Sequence, residues 1–84
     1  MAHHLGPGMH AGYPQNTMVL LRVGLLFQEG LYHEACREVL AGIAAAPEEP
    51  TLHLLLGGVY ERVGLKDLAA EAFAEARLHS TRHP

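Results

Sequence analysis

From Thr17 to Gln28 the chain reads TMVLLRVGLLFQ, apolar around almost the whole circumference of a helix, with Arg22 its only charge. Apolar positions at helical spacing continue beyond it, broken by glycine and proline. The pattern predicts one helix from about Thr17 to Glu29, stopped at Gly30, and a second from about Tyr32 to Ala45, stopped before Pro47. A third spans about Thr51 to Val63 and ends at Gly64, and a fourth spans about Lys66 to Leu78. Glycine closes a helix well because it enters the left-handed conformation at no steric cost. Pro50 suits a first helical turn, where its missing N–H would be unpaired in any case. Asp67 lies in the first turn of the fourth helix, where the positive end of the helix dipole favours an acid. The short EGL and VGL connections make each pair of helices antiparallel. The expected fold class is therefore all-α, with four antiparallel helices.

Sliding residues 17–84 against themselves by 34 positions pairs Thr17 with Thr51, Leu20 with Leu54, Leu21 with Leu55, Gly24 with Gly58, Gly30 with Gly64, Leu31 with Leu65 and Ala35 with Ala69. Two of these pairs are glycines, and one of them, Gly30 with Gly64, stands at helix ends. A gapless register of this kind signals a helical repeat array, with one unit over 17–50 and another over 51–84. Residues 1–16, MAHHLGPGMHAGYPQN, show no apolar period and are rich in glycine, proline and histidine, the composition of a flexible tail.

The second unit resembles a tetratricopeptide repeat, whose pattern sets Trp, Leu-Gly and Tyr on one helix and Ala, Phe, Ala and a final Pro on the next. HLLLGGVY supplies Leu56, Gly57 and Tyr60, and Ala69, Phe73 and Ala76 follow at the matching spacings, while His53 replaces the Trp and Thr81 the Pro. In the first unit only Ala35 and Pro47 agree, and its membership rests on the register. The resemblance implies two helical hairpins stacked as a short α-solenoid. Small residues such as Gly57, Ala69, Ala76, Ala35 and Gly42 would let backbones approach, with Tyr60, Phe73, Leu26 and Val39 filling the space between.

The resemblance also implies a concave groove lined by the first helix of each unit, here Thr17, Leu20, Gly24, Phe27 and Gln28, then Thr51, Leu54, Leu55, Gly58, Glu61 and Arg62. Arrays of this family typically bind a peptide or protein segment there. The expected function is thus a non-catalytic protein–protein interaction scaffold for a hydrophobic or amphipathic segment, free-standing or part of a longer array. Gly24 and Gly58 would leave a backbone trough, or else serve only tight helix packing. One subgroup grips a C-terminal carboxylate with Lys, Asn and Arg. Leu20, Gly24 and Leu55 stand where its Lys and Asn side chains would be, so that clamp is absent.

The first helix has no repeat before it, so part of Met18, Val19, Leu25, Leu26 and Phe27 is expected at the surface. Helix four is wetter than helix two: Tyr32 gives way to Lys66, Ile43 to Arg77 and Ala41 to Glu75. Two repeats are fewer than such arrays usually need. The alternative function is therefore a self-assembling structural module in which the first helix mediates homo-oligomerisation, with a homodimer the expected product.

At 84 residues, 49% hydrophobic and 18% charged, the chain has the composition of one small folded domain. A net charge of -3 with scattered Lys and Arg gives no footprint for nucleic acid. Cys36 is the single cysteine, the opening residues do not read as a secretory signal, and the apolar run is far short of a bilayer span. No membrane association and a cytoplasmic location are expected.

Seven histidines raise the question of a metal. His79 and His83 are four apart, but the helix is expected to fray by His79 with no acid or cysteine placed nearby, and structural sites need about four fixed ligands. His33 and His53 read as packed or solvated, and Cys36, aligned with Ala70, as an inert thiol. Glu48 and Glu49 suit the loop before Pro50. The chain lacks a phosphate loop, a nucleophile motif and paired carboxylates. No enzyme, metal or cofactor is expected.

Overall fold

The computed structural model describes residues 15–82. Among them are four helices and no strand: α1 Gln15–Gln28, α2 Tyr32–Ala45, α3 Pro50–Arg62 and α4 Lys66–Arg82. The fold is all-helical, and each helix packs on its neighbours in sequence. The tail expected over residues 1–16 lies outside the described residues except for Gln15 and Asn16, which open α1.

Both glycine stops form the same turn. Gly30 takes φ 77° and Gly64 φ 86°. Gly30 N–H donates to Phe27 O at 3.0 Å and Leu31 N–H reaches back to Leu26 O at 2.9 Å. Thirty-four residues on, Gly64 N–H donates to Glu61 O at 3.1 Å and Leu65 N–H to Tyr60 O at 2.9 Å. This paired arrangement satisfies carbonyls that a helix end otherwise leaves bare. The 34-residue register is thus present in the backbone of the turns as well as in side-chain identities.

Pro50 is the first residue of α3, as its fixed φ and absent N–H favour. The fourth helix outruns its sequence-based limit of Leu78 and reaches Arg82, so His79 does not fray. The repeat register sets Thr81 against Pro47. Proline forces the preceding residues out of the helix, whereas Thr81 stays in it and donates its hydroxyl to Leu78 O at 2.8 Å.

Val23, Ala35, Val39, Leu56, Val59 and Ala72 form the buried cluster, with all four helices contributing. Alanines at the contact points, among them Ala69 and Ala76, let the helix axes approach while the larger aliphatics fill the gaps. Phe73 lies against the bare backbone of Gly57, two of its ring carbons 2.6 and 2.7 Å from where a Cβ would stand. Full burial of Leu52, Val23, Val39 and Val59 stabilises the fold by about 1.5–3 kcal/mol for each side chain. Arg22 reaches Glu38 at 3.1 Å, an exposed pair between α1 and α2 worth about 1 kcal/mol or less.

Candidate functional site

The two glycines of the expected trough can be tested against space. A Cβ built on Gly24 or Gly58 meets no atom within 4 Å, so neither glycine is needed for helix packing. Gly57 behaves oppositely, since a Cβ there runs into the Phe73 ring, and a Cβ on Gly42 would sit tightly against Val19 and Leu52. One turn before the open glycines, Leu20 and Leu54 are exposed. On each of α1 and α3 the sequence therefore sets a leucine beside bare, accessible backbone.

The other residues expected in the groove divide. Thr17 and Thr51 are half-buried, and Gln28, Glu61 and Arg62 are exposed. Phe27 and Leu55 are half-buried and pack against the core. Phe27 also sets its ring edge against Tyr32, centroids 5.3 Å apart at 86°. Arg62 Nε donates to the Tyr32 hydroxyl at 3.1 Å, with the guanidinium carbon 5.6 Å from the centre of that ring. This hydrogen bond raises the Arg62 pKa above its ordinary value. Arg62 thus ties α3 to the start of α2 besides offering charge at the surface. Glu61 faces a different neighbourhood, the α3–α4 cleft that it lines with Phe73.

Two histidines given no partner by the sequence stack on one another. His53, buried on α3, lies 5.0 Å from the ring centre of His79 on α4, the planes 24° apart. His53 Nε2 donates to Pro47 O at 2.8 Å, which fixes the proton on that nitrogen and ties the loop before α3 to the helix. His79 Nε2 is 3.3 Å from Glu75 Oε1. An acid therefore does stand beside His79, one turn away on α4, against the sequence expectation. Even so, no group of three or more His, Cys, Asp or Glu among the described residues is arranged to hold a metal ion. His83 and the histidines of the first ten residues lie outside those residues.

Cys36 is half-buried and lies beside Tyr60. Burial pushes the Tyr60 phenol above the ordinary tyrosine value, with further upward contributions from Cys36 and Glu71. Because the folded state resists ionisation of Tyr60, its contribution is intact below the unfolded tyrosine pKa of about 10 and is lost as pH rises through the higher folded value. Urea midpoints should accordingly fall in strong alkali. Tyr60→Phe should flatten that fall, and an unchanged alkaline slope in the variant would refute the assignment.

A cleft of about 480 Å³ separates α2 from α4, with Leu40 and Ile43 on one wall, Leu68, Glu71 and Glu75 on the other, and Leu56 and Tyr60 in its floor. It was not legible in the sequence, because exposed Leu40 and Leu68 follow the same helical period as core positions. No helix among the described residues is long and apolar enough to cross a membrane. Scans of protein-family models, of curated proteins and of solved structures return no match to this chain.

Proposed function

We propose that the chain is a non-catalytic interaction scaffold of two tetratricopeptide-like hairpins, binding a hydrophobic or amphipathic peptide segment along α1 and α3. The observation that carries this reading is the open backbone at Gly24 and Gly58. Glycine in a helix interior costs about 0.5–1 kcal/mol relative to alanine, and here no packing contact offsets that cost. A partner's main chain could approach both helices closely, with Leu20 and Leu54 supplying apolar contact and Gln28 and Arg62 a polar edge. The 34-residue register and the matched glycine turns support the repeat architecture.

The test starts with binders selected from a random peptide library on the wild-type chain, followed by affinity measurements on Gly58→Leu and Leu20→Glu. Both variants change open surface, so helicity should hold while affinity falls about tenfold or more, roughly 1.4 kcal/mol. Selection that enriches no peptide, or binders indifferent to both changes, would remove the reading. A second reading, self-assembly through the first helix, is favoured by Met18, Leu21 and Leu25, all exposed along α1. Leu20→Glu separates the two, by loss of peptide at unchanged mass or by loss of the oligomer.

A further inference from the structure

The junction between the two hairpins serves as a template for the two uncovered ends. Along this junction α3 seats on α2 through named contacts. Leu52 lies against Gly42, Tyr60 lies beside Cys36, and Arg62 donates to Tyr32. Val59, fully buried, shares the core cluster with Ala35 and Val39. Shifting every residue by the 34-position register moves both faces of this junction to the outside of the molecule. Leu52, Leu55, Val59 and Tyr60 of α3 become Met18, Leu21, Leu25 and Leu26 of α1. Tyr32, Ala35, Cys36 and Val39 of α2 become Lys66, Ala69, Ala70 and Phe73 of α4.

Both shifted faces reach the surface, at Met18, Leu21 and Leu25 on α1 and at Lys66 and Ala70 on α4. Met18 is 49%, Leu21 59% and Leu25 64% exposed, although their counterparts on α3 are buried or half-buried against the core. On the far side, Lys66, Ala69, Ala70 and Phe73 line a cleft of about 480 Å³ together with Glu61. One end of the molecule thus presents an apolar ridge and the other a cleft in which Ala69, Ala70 and Phe73 are flanked by Glu61 and Lys66.

We propose that the chain stacks head to tail on a second copy of itself, the α1 ridge of one copy seated in the α3–α4 cleft of the next. Leu25 then takes the place that Val59 holds within the chain. Leu26 comes beside Ala70 as Tyr60 lies beside Cys36, and Gln28 comes beside Lys66 as Arg62 lies beside Tyr32. Leu25 for Val59 and Phe73 for Val39 add volume, which Leu26 for Tyr60 and Ala70 for Cys36 offset in part. The one charge on the ridge, Arg22, is already paired with Glu38, so docking leaves no lone cation on α1. A contact between two different faces leaves a free ridge and a free cleft on every pair, so stacking adds copies one after another until a ring closes or a filament grows. The inference rests on the self-assembly reading and is independent of what occupies the trough.

Light scattering over a dilution series tests it on the full chain. The wild type should exceed the 9.1 kDa of one chain and grow heavier with concentration. Leu25→Glu removes the ridge and Ala70→Arg blocks the cleft. Both positions are exposed, so helicity by circular dichroism should not change. Each variant alone should stay a single chain, whereas their mixture should form a complex of two chains through the one intact ridge and the one intact cleft. A wild type that remains a single chain at all concentrations overturns both the stack and the self-assembly reading. Oligomers lost in Leu25→Glu but unaffected by Ala70→Arg, with no complementation on mixing, overturn the stack alone and indicate α1 pairing with α1.

Discussion

Gly57→Ala is expected to destabilise the fold by about 1–3 kcal/mol, although Gly58→Ala, one residue away, should stabilise it by about 0.5–1 kcal/mol. Both glycines lie inside α3 and both gain the same helix propensity from a methyl group. The difference lies in what the methyl meets. At Gly57 it meets Cε1, Cδ1 and Cζ of Phe73 together, so the whole ring must swing out of its seat against α3. At Gly58 it meets open space. Since 1 kcal/mol moves the melting temperature of a domain this small by about 4–8 °C, the pair should melt on opposite sides of the wild type. Phe73→Leu should remove most of the penalty at Gly57. Equal melting temperatures for the two alanine variants would mean that the ring moves aside freely.

The same two positions mark what the sequence can and cannot disclose. Within HLLLGGVY the residues themselves do not separate the two adjacent glycines, and only the resemblance set Gly57 among the close-packing positions and Gly58 in the expected trough. The repeat register aligns Gly58 with Gly24, and the space around the backbone separates an open pair from the packed Gly57. Helix identity was more legible. The α2 boundaries follow from Gly30 and Pro47, while α1 begins two residues before the expected Thr17, because nothing in Gln15 or Asn16 stops a helix as proline would. The expected end at Leu78 fell short of Arg82 at α4, where Thr81 lacks the constraint that Pro47 imposes on α2.

Tertiary meetings left the weakest trace. His53 and His79 are 26 positions apart, and their register partners, Val19 and Ala45, carry no histidine that would hint at a stack. Arg62 and Tyr32 likewise stand apart in sequence, yet their contact bridges α3 and α2. An amphipathic period identifies the face of a helix that is buried. It does not say which residue of another helix that face touches, and the α2–α4 cleft went unread for the same reason.

Leu52→Ala should cost about 2–5 kcal/mol, enough to unfold a large share of a chain this small. Leu52 is 1% exposed, and truncation removes nearly all its side-chain contacts. The site adjoins a cleft of about 180 Å³ lined also by Val19, Arg22 and Gly42, so water can enter from that side and the loss should fall toward the lower part of the range. Gly42 supplies the control. A Cβ there would stand 3.4 Å from Leu52 Cδ1 and 3.3 Å from Val19 Cγ2, tight enough in the wild type to cancel most of the gain in helix propensity. With Leu52 cut back, the first of these contacts disappears and the new methyl occupies part of the void. Gly42→Ala should therefore be close to neutral alone and recover about 0.5 kcal/mol in the Leu52→Ala background, where both Val19 methyls still press on the new Cβ. Urea unfolding of the four chains closes the cycle. A strictly additive result would mean that Leu52 and Gly42 do not share the contact through which α3 sits on α2.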